Sequence, residues 1–294
     1  MSHTAQIQSL SSTPSSFLTR QQVALYHRNG FVNAGQVIDD AEVLRLQGEL
    51  ARVLRDRDRT DLPQPFRLTN FTGDEAHPLW QIVNIWQASE AFLDLLFNPR
   101  IIAAVQQATG ARGLRLWHDQ IQYKTAGGGG VNPWHQDNPY WAPITPAETK
   151  ITAWLALDDV EDDNGCMSMV PGSHAWGDAI AHLHTVQDFE AVPESYQGHA
   201  VFAVRTPVRA GCLHLHHPYT WHGSHANRSG RPRRAIALHF MTDQVSLVAG
   251  KKSQHILGKT ITSEPGAPLE GPLFVPIFPT AIRPLLAEVA RYRD

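Results

Sequence analysis

The chain has 294 residues, 42% of them hydrophobic, with a formal net charge of −3 at pH 7. That is enough apolar content for a sizeable core, and the near-neutral balance gives no electrostatic footprint for nucleic acid or a membrane surface. No apolar run is long enough to cross a bilayer, and the polar Ser/Thr-rich start lacks the basic-then-apolar order of a signal peptide.

In chain order, residues 1–16 read as a flexible tail. Residues 17–294 read as one domain with an N-terminal helical region and a C-terminal extension. Thr19, with Gln22 three positions on, forms a capping box for a helix that stops at Gly30, and Phe31-Val32 opens an extended piece. Asp39 or Asp40 caps a second helix to about Arg57, with Val43, Leu44, Leu46, Leu50 and Val53 on its apolar side. Residues 58–80, mixed and rich in Pro and Thr, read as a loop. Ser89 caps a short helix to about Phe97, and Pro99 opens another that ends at Gly110. Strands follow over Leu114–Thr125, Thr149–Leu157, Cys166–Val170, Ala200–Val204, Cys212–His217 and Arg234–Thr242, separated by Gly, Pro and Asn turns. The last fifty residues are Pro/Gly-rich, with one short helix over Pro284–Arg291; they are expected to wrap the sheet or close a site. Helices first and irregularly spaced strands after favour an antiparallel sandwich or barrel with flanking helices over a βαβ fold.

Cys166 and Cys212 are the only cysteines, too few for a disulfide framework, and are expected to be reduced thiols in a cytoplasmic protein. Sixteen histidines, many of them between His118 and His239, direct attention to metal chemistry. After the glycine run Gly127–Gly130 comes Asn132-Pro133-Trp134-His135-Gln136-Asp137-Asn138-Pro139. The two prolines oppose a helix, and in an extended segment His135 and Asp137 point to one side. Two imidazoles and a carboxylate on one face of an iron(II) ion leave positions open for other ligands. A His-X-Asp pair is weak alone. The glycines, the flanking aromatics, a downstream histidine and an arginine strengthen it. The third ligand stays open among His214, His216, His217, His222, His225 and His239. No His-Glu-X-X-His, paired CxxC, GxGxxG, Walker A or GxSxG pattern supports another chemistry.

With these motifs in place, the chain resembles the phytanoyl-CoA dioxygenase family of Fe(II)/2-oxoglutarate-dependent oxygenases, over roughly residues 18 to 242. The resemblance is carried in order by Asp119-Gln120 through Lys124, the glycine run, His135-Gln136-Asp137, Trp154, Asn164-Gly165-Cys166, Val170-Pro171-Gly172-Ser173-His174, His222-Gly223-Ser224 through Asn227, and Pro232-Arg233. It implies a double-stranded β-helix (jelly roll, cupin-like) with N-terminal helices on one sheet. It also implies His222 as the third iron ligand, and Arg233, rather than Arg231 or Arg234, as the partner of the distal 2-oxoglutarate carboxylate. Gln120, Trp154 and Ser224 match positions lining the cosubstrate pocket. Arg chemistry agrees, since a planar guanidinium takes a carboxylate bidentately.

The implied activity is oxidation of a small-molecule substrate with O2, giving succinate and CO2. Hydroxylation is the expected outcome, with desaturation, epimerisation or cyclisation drawing on the same cofactors. Related halogenases have Gly or Ala where this chain has Asp137, so the carboxylate argues against halogenation. Gly211-Cys212 departs from the family's frequent Gly-Asp, at a turn away from the metal. Residues 58–88 and 245–294 match no family pattern and are the regions where members differ in substrate. Asn138, Tyr140 and Trp141 either line the mouth or pack against the helices. No segment reads as a coenzyme A signature. Two other classes fit the residues less well: a non-catalytic 2-oxoglutarate- or metal-binding homologue, and a cupin-like metal enzyme without a cosubstrate.

Overall fold

The computed structural model describes residues 6–9 and 16–294. Of the expected tail, residues 1–5 and 10–15 lie outside the described residues, while Gln6–Ser9 forms a strand antiparallel to Thr280–Arg283.

The first helix, Arg20–Asn29, begins at the expected capping box. The Gln22 amide N–H donates to Thr19 Oγ1 at 3.2 Å, and the Thr19 N–H donates to Gln22 Oε1 at 2.9 Å. The helix closes at Gly30 in the left-handed conformation. Thr19→Ala removes both the side-chain acceptor and the reciprocal geometry. It is expected to cost about 1 kcal/mol, read as a lower urea midpoint with unchanged slope. Asp39 caps Asp40–Arg55, whose Val43, Leu46, Leu50 and Val53 are buried, whereas Leu44 is exposed. Ser89 precedes Glu90–Leu95 but makes no cap bond; its hydroxyl donates to Glu49 Oε2 of the preceding long helix at 2.6 Å. Asn98 caps Pro99–Thr109.

Two antiparallel sheets form the core of the fold, beside three two-stranded pairs. The larger runs in the order Phe31–Gln36, Cys212–His216, Lys150–Ala156, Arg233–Thr242, Leu114–Lys124, Leu79–Val83, Arg67–Asn70, with Pro276–Phe278 also on Leu114–Lys124. The smaller runs Val204–Thr206, Met167–Met169, His222–Ser224, Asn132–His135. This is the expected jelly roll with flanking helices.

Alternation along the large sheet explains why its central strands are buried throughout. Ile151, Ala153, Leu155, Leu213, Leu215, Ile236 and Leu238 join the helices in one core. Trp154, Ala156, Ala235 and Ala237 belong instead to a second core with Met167 and Met169 of the small sheet. The same alternation places Thr152, His214, His216, Arg233 and His239 on the inner face, so the polar residues of these strands converge between the sheets.

Two expectations are corrected. Residues 58–80 are not all loop: Arg67–Asn70 and Leu79–Val83 extend the large sheet by two strands. The mixed composition reflects a sheet margin with one partly open face, where polar and apolar residues share a strand. The expected strand over Ala200–Val204 is two short pieces, His199–Ala200 and Val204–Thr206, with different partners. The C-terminal extension wraps the large sheet through Pro276–Phe278 and ends in a short helix, Leu286–Val289.

Candidate metal and cosubstrate site

His135 ends one strand of the small sheet and His222 begins its neighbour, directly opposite in register. Their rings lie 4.1 Å apart. Each ring has its Nδ1 beside a backbone carbonyl two residues back: Pro133 O at 2.8 Å for His135 and Thr220 O at 2.9 Å for His222. A carbonyl only accepts, so Nδ1 carries the proton and Nε2 presents its lone pair. Both Nε2 atoms face one oxygen, Asp137 Oδ1, at 3.8 and 3.6 Å. Donor atoms of the three residues lie within 4.8 Å of one another, the one such cluster of metal-ligating groups among the described residues. Two neutral imidazoles and one carboxylate suit a divalent first-row metal with open positions.

Asp137 departs from the expected geometry. It is not extended beside His135 but sits past the strand end in a helical conformation, at φ −72° and ψ −41°. The carboxylate is aimed by its contacts rather than by strand alternation. Its Oδ2 accepts from Thr152 Oγ1 at 2.7 Å and from His216 Nε2 at 3.2 Å, which leaves Oδ1 for the cluster. Thr152 and His216 were not singled out for this role in the sequence. The available signal was parity, since Thr152 shares a strand face with Trp154 and His216 shares one with His214. Thr152 also meets His239 Nδ1 at 2.9 Å. Of the six candidate histidines, His216 and His239 therefore support the carboxylate, while His214 stacks on Phe31 and His225 bonds a neighbouring carbonyl. His217 packs against His174.

All the other expected site residues line the same cavity, which holds about 440 Å³ of empty space between the sheets, including its open mouth. Arg233 is 2% exposed and makes no ion pair among the described residues. Its guanidinium donates to Gly165 O at 3.0 and 3.2 Å and to Ser224 Oγ at 3.3 Å, and lies 5.3 Å from the Trp154 ring centre. Gly165 has φ +90°, and a Cβ there would meet His225 O at 2.8 Å, so only glycine brings this carbonyl to the guanidinium. Burial pushes the Arg233 pKa down to about 10, still a cation at neutral pH. A buried guanidinium without an anion, across a small cavity from three metal-ligating groups, fits the distal carboxylate of a short diacid chelated at the metal. Arg234 faces away and is paired with Asp158 at 2.6 Å.

Lys124 is a buried lysine behind this wall, beside Gly165. Its Nζ donates to Ser224 O at 3.1 Å and His225 O at 2.5 Å. It thereby pins the turn that follows His222. Burial, reinforced by Arg233, lowers its pKa well below the usual lysine value. The glycine run upstream of His135 turns through positive φ at Gly127, Gly129 and Gly130.

Burial also holds imidazoles neutral, at about 4 for His118, His135 and His222 and about 3 for His217. These values lie below the ordinary 6.5, so the unfolded chain binds protons that the fold refuses. Stability is full above about pH 6.5 and falls as pH drops toward about 4. For His118 and His222 the loss at about pH 5 is on the order of 2 kcal/mol each. Urea titrations of metal-free protein are expected to show a clearly lower midpoint near pH 5 than near pH 7.

The sequence profile of the phytanoyl-CoA dioxygenase (PhyH) family matches residues 26–235. The peroxisomal phytanoyl-CoA dioxygenase of Bos taurus is 26% identical over 240 residues, 76% of this chain and 68% of that protein. Among solved structures, the epimerase SnoN, in complex with Fe3+, alpha ketoglutarate and nogalamycin RO, is 27% identical with a TM-score of 0.67, covering 86% of this chain and 96% of that one. The non-heme alpha ketoglutarate dependent carbocyclase SnoK from nogalamycin biosynthesis is 26% identical with a TM-score of 0.68, covering 90% and 100%. With its fold and clustered donors, the chain belongs to the phytanoyl-CoA dioxygenase family and is a 2-oxoglutarate-dependent non-haem iron dioxygenase.

Proposed function

We propose that His135, Asp137 and His222 hold the iron, that Arg233 with Ser224 anchors the distal carboxylate of 2-oxoglutarate, and that Trp154 and Gln120 wall its chain. The enzyme hydroxylates a small organic molecule. When bound, iron and 2-oxoglutarate supply the oxidising power, with O2 consumed and succinate and CO2 released. The protein's part is placement. Pro133 O and Thr220 O fix the two imidazoles in the ligating tautomer. Thr152 and His216 hold one carboxylate oxygen so that the other faces the metal. Arg233 sets the direction in which the diacid lies, and the buried walls exclude water.

The observation that carries this reading is the convergence of two Nε2 atoms on Asp137 Oδ1 in the same cavity as an ion-pair-free buried guanidinium. Anaerobic titration with Fe(II) and 2-oxoglutarate is expected to give the visible absorption band of the chelate, and aerobic incubation to release succinate. A chain that binds neither metal nor 2-oxoglutarate would sink the reading. Product mass identifies the outcome: one oxygen gained for hydroxylation, two hydrogens lost for desaturation or ring closure, no change for epimerisation.

A further inference from the structure

A second, larger cleft opens onto the metal-ligating cluster. It holds about 1570 Å³ of empty space including its mouth, and shares Gln120, Gln122, Asn132, His135, Asp137 and His239 with the inner cavity. Its floor is one face of the large sheet. Gln120 and Gln122 alternate along one strand, opposite Val83 and Gln81 of the next, and His118 pairs with His239 on the other side. Its walls come from the two marginal strands and the turn between them, with Arg67, Phe71, Thr72, Leu79 and Gln81, and from the C-terminal extension, with Gln254, His255 and Ile256, which lies beyond the family match.

Charge, apolar exposure and polar lining point the same way. Only two lining side chains are formally charged. One is Asp137, which belongs to the metal cluster, and the other is Arg67, already paired with Asp294. A ligand with several phosphate charges needs a cluster of free cations, and this lining has none. Among the described residues five large apolar side chains are exposed, and three of them, Phe71, Val131 and Tyr140, line this cleft. That concentration marks a binding surface rather than scattered surface apolarity. Trp141 adds a third aromatic wall. Five of the polar side chains, Gln81, Gln120, Gln122, Asn132 and Gln254, are amides, which both donate and accept, and the Gln81 and Gln254 side chains make no hydrogen bond to a described residue.

We propose that this cleft binds a neutral, fused-ring aromatic molecule bearing hydroxyl and carbonyl groups. The aromatic walls stack on its rings, the amides of Gln81 and Gln254 bind its oxygens, and the substrate is not an acyl-coenzyme A thioester. The proposal rests on the functional reading above, which places the oxidising centre at the cleft's inner end.

The test is equilibrium binding to the anaerobic Fe(II)- and 2-oxoglutarate-loaded protein, followed by tryptophan fluorescence. The probes are 1,8-dihydroxyanthraquinone, a trihydroxyflavanone and palmitoyl-coenzyme A. The Fe(II)–2-oxoglutarate absorption band is recorded first. If that band does not form in the wild type, the functional reading fails; if it forms, the probes test the cleft alone. Saturable binding of at least one neutral polycycle is expected, weakened at least tenfold by Phe71→Ala and by Gln81→Leu, with no saturable binding of palmitoyl-coenzyme A. Absence of polycycle binding, affinities unmoved by both substitutions, or tighter binding of the thioester overturns the proposal.

Discussion

Asp137→Ala is expected to abolish activity and to lower iron affinity by at least about a hundredfold. The carboxylate is the vertex toward which both imidazole Nε2 atoms point, at 3.8 and 3.6 Å. Removing it leaves two neutral ligands on adjacent strands and no negative charge to balance the metal. Burial would raise the Asp137 pKa, but the imidazoles of His222 and His216 outweigh it and hold the carboxyl well below its usual range, so the ligand is charged without metal. The substitution also strips partners from Thr152 and His216. A buried donor left unsatisfied costs about 1–3 kcal/mol, so some loss of stability accompanies the loss of function. Asp137→Asn separates the two effects. It keeps the shape and an acceptor for Thr152, and is expected to fold near wild type while still losing metal. Metal content after dialysis, circular dichroism and succinate release read the three consequences. Asp137→Ala protein that keeps stoichiometric iron and turnover would overturn the assignment. The parallel variants His135→Ala and His222→Ala are expected to behave alike, since each removes one vertex of the same cluster.

How much of this was legible in the sequence depends on how local the determining physics is. Helix ends are local: the Thr19–Gln22 capping box and the cap of Asn98 before Pro99 lie in the residues that form them. Strands buried on both faces were legible as elements, because Lys150–Ala156 and Arg233–Thr242 carry the apolar or small-residue runs Ile151 to Ala156 and Ala235 to Leu238. The two marginal strands in 58–88 were not, since Leu79–Val83 is fixed by pairing with Leu114–Lys124, distant in sequence, and Arg67–Asn70 only adds to Leu79–Val83. The ligand pair was legible as a motif, but its stated geometry was not. Strand alternation was the wrong reason for His135 and Asp137 to converge, because the chain leaves the strand after His135. What aims Asp137 is a hydroxyl and an imidazole from two other strands, and no spacing within 132–141 encodes them. Lys124 was missed for a similar reason. An interior lysine on a strand reads as solvated, and only the packed turn after His222 shows that it is capped by two carbonyls. The order of the sheets makes the site possible: neighbouring strands of the small sheet bring His135 and His222 into register, and the inner parity of the large sheet brings Arg233, Trp154 and Thr152 to face them.

Arg233→Met should separate cosubstrate binding from metal binding. Methionine keeps the length and apolar stem but removes the fork that donates to Gly165 O and Ser224 Oγ and faces the cavity. Truncating one partner of a buried charge-assisted pair costs about 2–5 kcal/mol, so the 2-oxoglutarate Kd is expected to rise roughly a hundredfold or more. Iron affinity is expected to stay near wild type, because Arg233 is not among the clustered donor groups. Arg233→Lys keeps a charge without the bidentate geometry and should fall between, at about tenfold. The sign of the stability change gives an independent check. In the ligand-free protein the guanidinium is buried with no carboxylate partner, and burial has already lowered its pKa to about 10. Replacing such an uncompensated cation with an apolar side chain of similar length is expected to leave the melting temperature unchanged or raise it. The gain in melting temperature that saturating 2-oxoglutarate gives the iron-loaded wild type should disappear in Arg233→Met, since mass-action stabilisation requires binding. A variant with a lower ligand-free melting temperature and an intact 2-oxoglutarate shift would show that Arg233 is a structural cation, held for its bonds to Gly165 and Ser224, and that the diacid is anchored elsewhere.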